Sequence, residues 1–82
     1  MYEIWETDRS GNRVRTIAYA NTMHDALINA HTWATVHGVK NIIVYDTEMD
    51  DEYRIVIDGW PCTYGPMGNA TPITNWFAQY DV

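Results

Sequence analysis

Five acids, Asp46, Glu48, Asp50, Asp51 and Glu52, fall within seven residues, the densest run of chemistry-bearing side chains in the sequence. Asp46, Glu48 and Asp50 match the first, third and fifth ligands of an EF-hand. Such a loop needs Gly at its sixth position and Glu at its twelfth, and here these are Asp51 and Ile57. The flanking pattern is that of strands, so the EF-hand is rejected and no metal ligand set is assigned. Carboxylates spaced along a rigid hairpin can instead imitate a row of phosphates and enter the basic groove of a nucleic-acid-binding protein. The simpler reading is a solvated turn that keeps the chain soluble.

The other reactive residues assemble into nothing comparable. His24 and His31, seven apart on one helical face, stand about 10 Å apart along the axis, too far to share one zinc ion. His37 suits the last turn of a helix, where a cation complements the dipole. Cys62, the one cysteine, has no histidine near in sequence to act as its base, so it is assigned as a packed thiol. Asn69-Ala70-Thr71 spells a glycosylation sequon by chance. Arg13 and Arg15, two apart on one strand with Arg9 nearby, are expected to share a face and pair with Glu3 or Glu6 across a hairpin. No catalytic residue and no cofactor-binding residue is assigned, and an enzyme is the least favoured reading.

Charge separates the chain into halves. Residues 1–41 are balanced, whereas residues 42–82 carry seven acids against Arg54 alone and hold the whole net charge of −6. Such a chain repels phosphate, so no direct nucleic-acid partner is expected. The longest apolar run, Ile42 to Tyr45, is far too short for a membrane span. The first residues include Glu3, Glu6 and Asp8 and lack the order of a secretory signal. With a single cysteine this predicts a cytoplasmic protein without a disulfide.

The 82 residues, 46% hydrophobic, suit one domain. Expected elements are strands at Tyr2–Thr7 and Arg13–Ala20 joined by the turn Asp8-Arg9-Ser10-Gly11-Asn12, then a helix capped by Thr22 and closed by Gly38. Strands at Ile42–Asp46 and Tyr53–Asp58 follow, around a polar loop at 47–52. The helix stripe is Met23, Ala26, Leu27, Ala30, Trp33 and Ala34, with Leu27, Ala30 and Trp33 expected against the sheet. The core is therefore 1–58, an α+β fold: ββαββ, a four-stranded antiparallel sheet of order 2-1-3-4 with one helix on one face and a right-handed crossover. Residues 59–70, rich in Pro and Gly, form an irregular loop. A short amphipathic C-terminal helix spans 71–81, with Thr71 as N-cap, Pro72 at N1 and the stripe Ile73, Trp76, Phe77, Tyr80.

The second sheet face, with Trp5, Val56 and Arg54, is too apolar to stay bare. The C-terminal segment is expected to fold back over it. Trp76, Phe77 and Tyr80 are the alternative: an anchor set for a partner's groove, to be weighed with the acidic run as a protein-binding site.

No motif of a named family is present. In style, over residues 2–58, the chain resembles small acidic orphan proteins of bacteriophages and mobile elements, several phage inhibitors of bacterial defence systems among them. The resemblance is one of architecture and transfers no functional residue. The resulting expectation is a small, acidic, non-enzymatic protein-binding module, in its sharpest form a phage-type inhibitor or DNA mimic. It would act on a larger protein partner within a nucleic-acid-handling host or defence complex. The second reading is a self-associating accessory subunit, for which a homodimer is allowed.

Overall fold

A computed structural model describes residues 1–8, 10–39, 41–56 and 71–80. Strands β1 (Tyr2–Thr7) and β2 (Arg13–Ala20) precede helix α1 (Met23–His37), and β3 (Ile42–Asp46) and β4 (Asp51–Val56) follow it. The chain ends in β5 (Thr71–Pro72) and helix α2 (Ile73–Tyr80). The sheet is open, with order β2-β1-β3-β4-β5, so the expected antiparallel order 2-1-3-4 is present. A two-residue strand adds to it in parallel beside β4, with Thr71 opposite Ile55.

Local chemistry explains most of the boundaries. Asp8 accepts from the backbone N–H of Ser10 and Asn12 through Oδ1, and Gly11 takes φ +86°, which closes the first turn. These donors, Asn12 first, hold the Asp8 carboxyl below its ordinary 3.8. At the start of α1 the Thr22 hydroxyl accepts from Asp25 N, and Gly38 at φ 69° returns its N–H to Ala34. Strand β4 begins two residues earlier than expected, because the Asp46 side chain tightens the preceding turn to Thr47–Asp50, and the expected last residues of that strand, Ile57 and Asp58, lie outside the described residues.

Both helices lie on one face of the sheet. Their core joins Ile4, Ile42, Val44 and Ile55 to Met23, Ala26, Leu27, Ala30 and Ala34 of α1 and Ile73 of α2, with Trp76 and Phe77 packed against it. This corrects the expected place of the C-terminal segment. Helix α2 stands beside α1, its Phe77 edge-on to His24 at 5.9 Å and its Trp76 edge-on to Tyr53 at 5.3 Å. The N-cap role for Thr71 and the N1 role for Pro72 also give way: the pair extends the sheet and the helix starts at Ile73. Trp33 is corrected too. It is half-buried at the margin, stacked on His37 at 4.3 Å with the Arg15 guanidinium 6.0 Å from its ring, while Ala34 takes the inward position.

The second face closes by another device. Trp5 and Tyr45 stack at 4.7 Å, and Arg13 lies over the far side of Trp5 at 5.1 Å. The Trp5 indole N–H donates to Glu3 at 2.9 Å. Between Trp5 and Arg54 in register sits Ile43, 0% exposed. The Arg54 guanidinium reaches the β1–β2 turn, where a Cβ on Gly11 would meet Nη2 at 3.0 Å, so its stem spans β3. The expected irregular loop at 59–70, with Trp60, Cys62 and the sequon's Asn69, lies outside the described residues, as does the side chain of Val56.

Strand β2 does not keep a period of two. Its register against β1 shifts between Ile4 and Trp5 and again between Glu6 and Thr7. Arg13 and Arg15 consequently sit on opposite faces, against the expectation of a shared one. Arg13 stands 3.6 Å from Glu3 and over Trp5, whereas Arg15 bonds Glu6 at 2.7 Å and reaches toward Trp33 of α1.

Candidate functional site

The β3–β4 hairpin carries the acidic run, and the structure divides the run by role. Strand parity puts Asp46 with Ile42 and Val44 on the helix-facing side, and it is buried. Its Oδ1 accepts from Glu48 N at 3.0 Å and Met49 N at 3.3 Å, so this carboxylate builds the turn and is withdrawn from the surface. Glu48, Asp50, Asp51 and Glu52 remain exposed.

The turn holding them is tied on three sides. Thr47 donates its backbone N–H to the Met1 carbonyl at 3.1 Å and its hydroxyl to the same oxygen at 2.8 Å. The N-terminal ammonium lies 3.7 Å from Glu48. Asp50 sits at φ 54°, a left-handed conformation that aspartate tolerates better than most residues, and accepts from the Tyr45 hydroxyl at 2.6 Å. Asp50 is thereby held by Tyr45 and Glu48 lies against the N-terminal ammonium, while Asp51 and Glu52 open β4.

Met49 is at the tip, 69% exposed, and is the one apolar side chain between Asp46 and Glu52.

The register sets Tyr2 opposite Asp46 at one end and Thr7 opposite Arg13 at the other. Arg13 and Arg15 are balanced there by Glu3 and Glu6, so the excess negative charge sits at the acidic tip.

Tyr45 connects the tip to the stacked face. Its hydrogen bond to Asp50, assisted by the negative charges around it, raises the phenol above its ordinary 10.0. A raised value favours the protonated form, so this contribution is complete below pH 10 and is lost as pH climbs through the folded value. In an absorbance titration at 295 nm, Asp50→Asn should therefore lower the pH at which Tyr45 ionises, and an unchanged curve would remove the hydrogen bond from the account.

The remaining candidates are dispersed. Trp76 and Phe77 are partly buried against this protein's own core, and the Tyr80 side chain lies outside the described residues. His31 and His37 are exposed on α1, whereas His24 is half-buried with Nδ1 enclosed and without a hydrogen-bond partner among the described residues. Among those residues, no three His, Cys, Asp or Glu side chains converge on a metal-sized point. No described helix is long and apolar enough to cross a membrane. Compared with known protein families, characterised proteins and solved structures, the chain matches none.

Proposed function

We propose that the protein is a non-enzymatic binding module that docks its β3–β4 hairpin onto a basic surface of a larger protein. The observation behind this reading is the pairing of exposed Met49 with four exposed carboxylates on a turn tied down by Asp46, Thr47 and Tyr45. In its sharpest form the module is an inhibitor of a nucleic-acid-handling complex, its carboxylates standing where phosphates would lie. Long-range attraction speeds the encounter, and the Met49 side chain supplies apolar contact that nucleic acid lacks.

The test changes Asp50, Asp51 and Glu52 together to Asn, Asn and Gln. Asp51 and Glu52 face water, and Asn at position 50 keeps a carbonyl that can accept from Tyr45, so the fold persists. Affinity for a partner captured from host lysate should fall roughly tenfold or more at low salt, and its salt dependence should flatten. Duplex DNA should displace the unaltered protein. Capture that is insensitive to both the substitutions and the competitor would leave the hairpin a solubility role only.

A further inference from the structure

Trp5 and Tyr45 share more than a stack. The β1–β3 register sets Trp5 opposite Ile43 and Glu3 opposite Tyr45, so the two rings are diagonal neighbours on one sheet face. Their centroids stand 4.7 Å apart and their planes are inclined by 24°, which is direct ring contact. Each ring also gives its one polar hydrogen to a carboxylate. The Trp5 indole N–H donates to Glu3 Oε1 at 2.9 Å, and the Tyr45 hydroxyl donates to Asp50 Oδ1 at 2.6 Å. Indole and phenol lose one electron more readily than other aromatic rings of proteins, and each becomes far more acidic when it does. A bonded carboxylate takes up that proton as the electron departs, so each pair can be oxidised without leaving a charged ring. By contrast, Trp76 meets Tyr53 edge-on at 5.3 Å, and its indole donates to the Arg54 backbone carbonyl, which takes no proton.

We infer that Trp5, Glu3, Tyr45 and Asp50 form a radical relay, which carries an oxidising equivalent from the sheet face to the hairpin turn. The surrounding charges set its direction. Loss of an electron adds one positive charge to either pair. At Trp5 that charge meets the Arg13 guanidinium, 5.1 Å from the ring and 3.6 Å from Glu3. At Tyr45 it meets the carboxylates of Asp50, Glu3 and Glu52, whose charges act on the phenol. In the first step a small-radical oxidant takes one electron from Trp5, and the indole proton passes to Glu3. Tyr45 then gives one electron to the Trp5 radical while its hydroxyl proton passes to Asp50. Glu3 returns its proton to the indole nitrogen, so the Trp5 pair is restored and the radical rests on Tyr45. A soluble enediol reductant of the ascorbate class supplies one electron to the phenoxyl and Asp50 returns the proton. The reductant leaves as its own radical and releases its proton to water. Asp50 is exposed, so this last exchange takes place at the surface.

Pulse radiolysis of the full chain with azidyl radicals as the oxidant tests the relay. Tryptophanyl absorbance should decay into tyrosyl absorbance in a first-order phase whose rate does not change with protein concentration. Trp5→Phe and Tyr45→Phe should each remove that phase and leave only slower transfer among the remaining rings. Asp50→Asn keeps a hydrogen-bond acceptor but takes up no proton, so it should slow the phase by about tenfold or more. Circular dichroism checks that each variant is folded. Heavy water alters no residue and should also slow the phase in the unaltered chain, because a proton moves with the electron. A chain without the first-order phase would overturn the inference. A phase that survives Tyr45→Phe, that Asp50→Asn leaves unchanged, or that runs as fast in heavy water would do the same.

Discussion

Deleting everything after Gly68 should destroy cooperative folding. The loss removes Ile73, 2% exposed in the core, together with Trp76 and Phe77 packed against it. Three side chains of this size are worth roughly 4.5–9 kcal/mol of burial in total. A domain of 82 residues holds only about 4–12 kcal/mol of net stability. The damage should begin on the helix-facing side, where His24 and Tyr53 lose their ring partners, and not at the Trp5–Tyr45 stack. Circular dichroism melting and dye binding should show an expanded or aggregated chain. A truncated protein that melts sharply near the full-length midpoint would show that α2 is dispensable and free to serve a partner.

Leu27→Ala and Trp33→Ala should separate clearly, with the larger residue mattering less. Leu27 is fully buried at the middle of α1, and its truncation leaves a cavity costing about 2–5 kcal/mol. At roughly 4–8 °C per kcal/mol for a domain of this size, the melting midpoint falls by about 8–40 °C. Trp33 is half-buried and shares its ring with His37 and Arg15, so its truncation should cost about 1–2 kcal/mol. Equal losses, or a greater loss at Trp33, would mean that the inward stripe of α1 has been assigned to the wrong residues.

The elements and the order of the four long strands were legible because each depends on local signals. Alternation set β1, an unbroken β-branched run set β3, Thr22 and Gly38 set the ends of α1, and short connections leave few orders for two hairpins around one helix. What escaped was set by tertiary choice. Both sheet faces offered apolar residues to the C-terminal helix, and periodicity carries no information about which one it takes. Trp33 lies at the margin of the helical stripe, where a small rotation decides between core and flank. The separation of Arg13 from Arg15 follows from a register shift, which leaves no mark in the spacing of the strand itself.

The acidic site was legible by residue type but not by role. Parity with Ile42 and Val44 already places Asp46 on the inward side, a signal that was available and that removes it from any row of surface charges. Met49 carried a signal too, as the lone apolar residue in that run. The bond from Tyr45 to Asp50 joins a strand residue to the turn five positions on, and depends on a left-handed backbone that no spacing rule announces.

The two borders of the sheet carry a consequence for how copies of this protein can grow together. An added strand needs an unbroken series of free N–H and C=O groups at even intervals along the rim. Strand β2, one rim, interrupts that series twice with its register shifts. Strand β5, the other, is two residues long, and one of them is Pro72, which has no N–H to give. Among the described residues, the register shifts of β2 and the brevity of β5 therefore interrupt strand addition along these two stretches of rim.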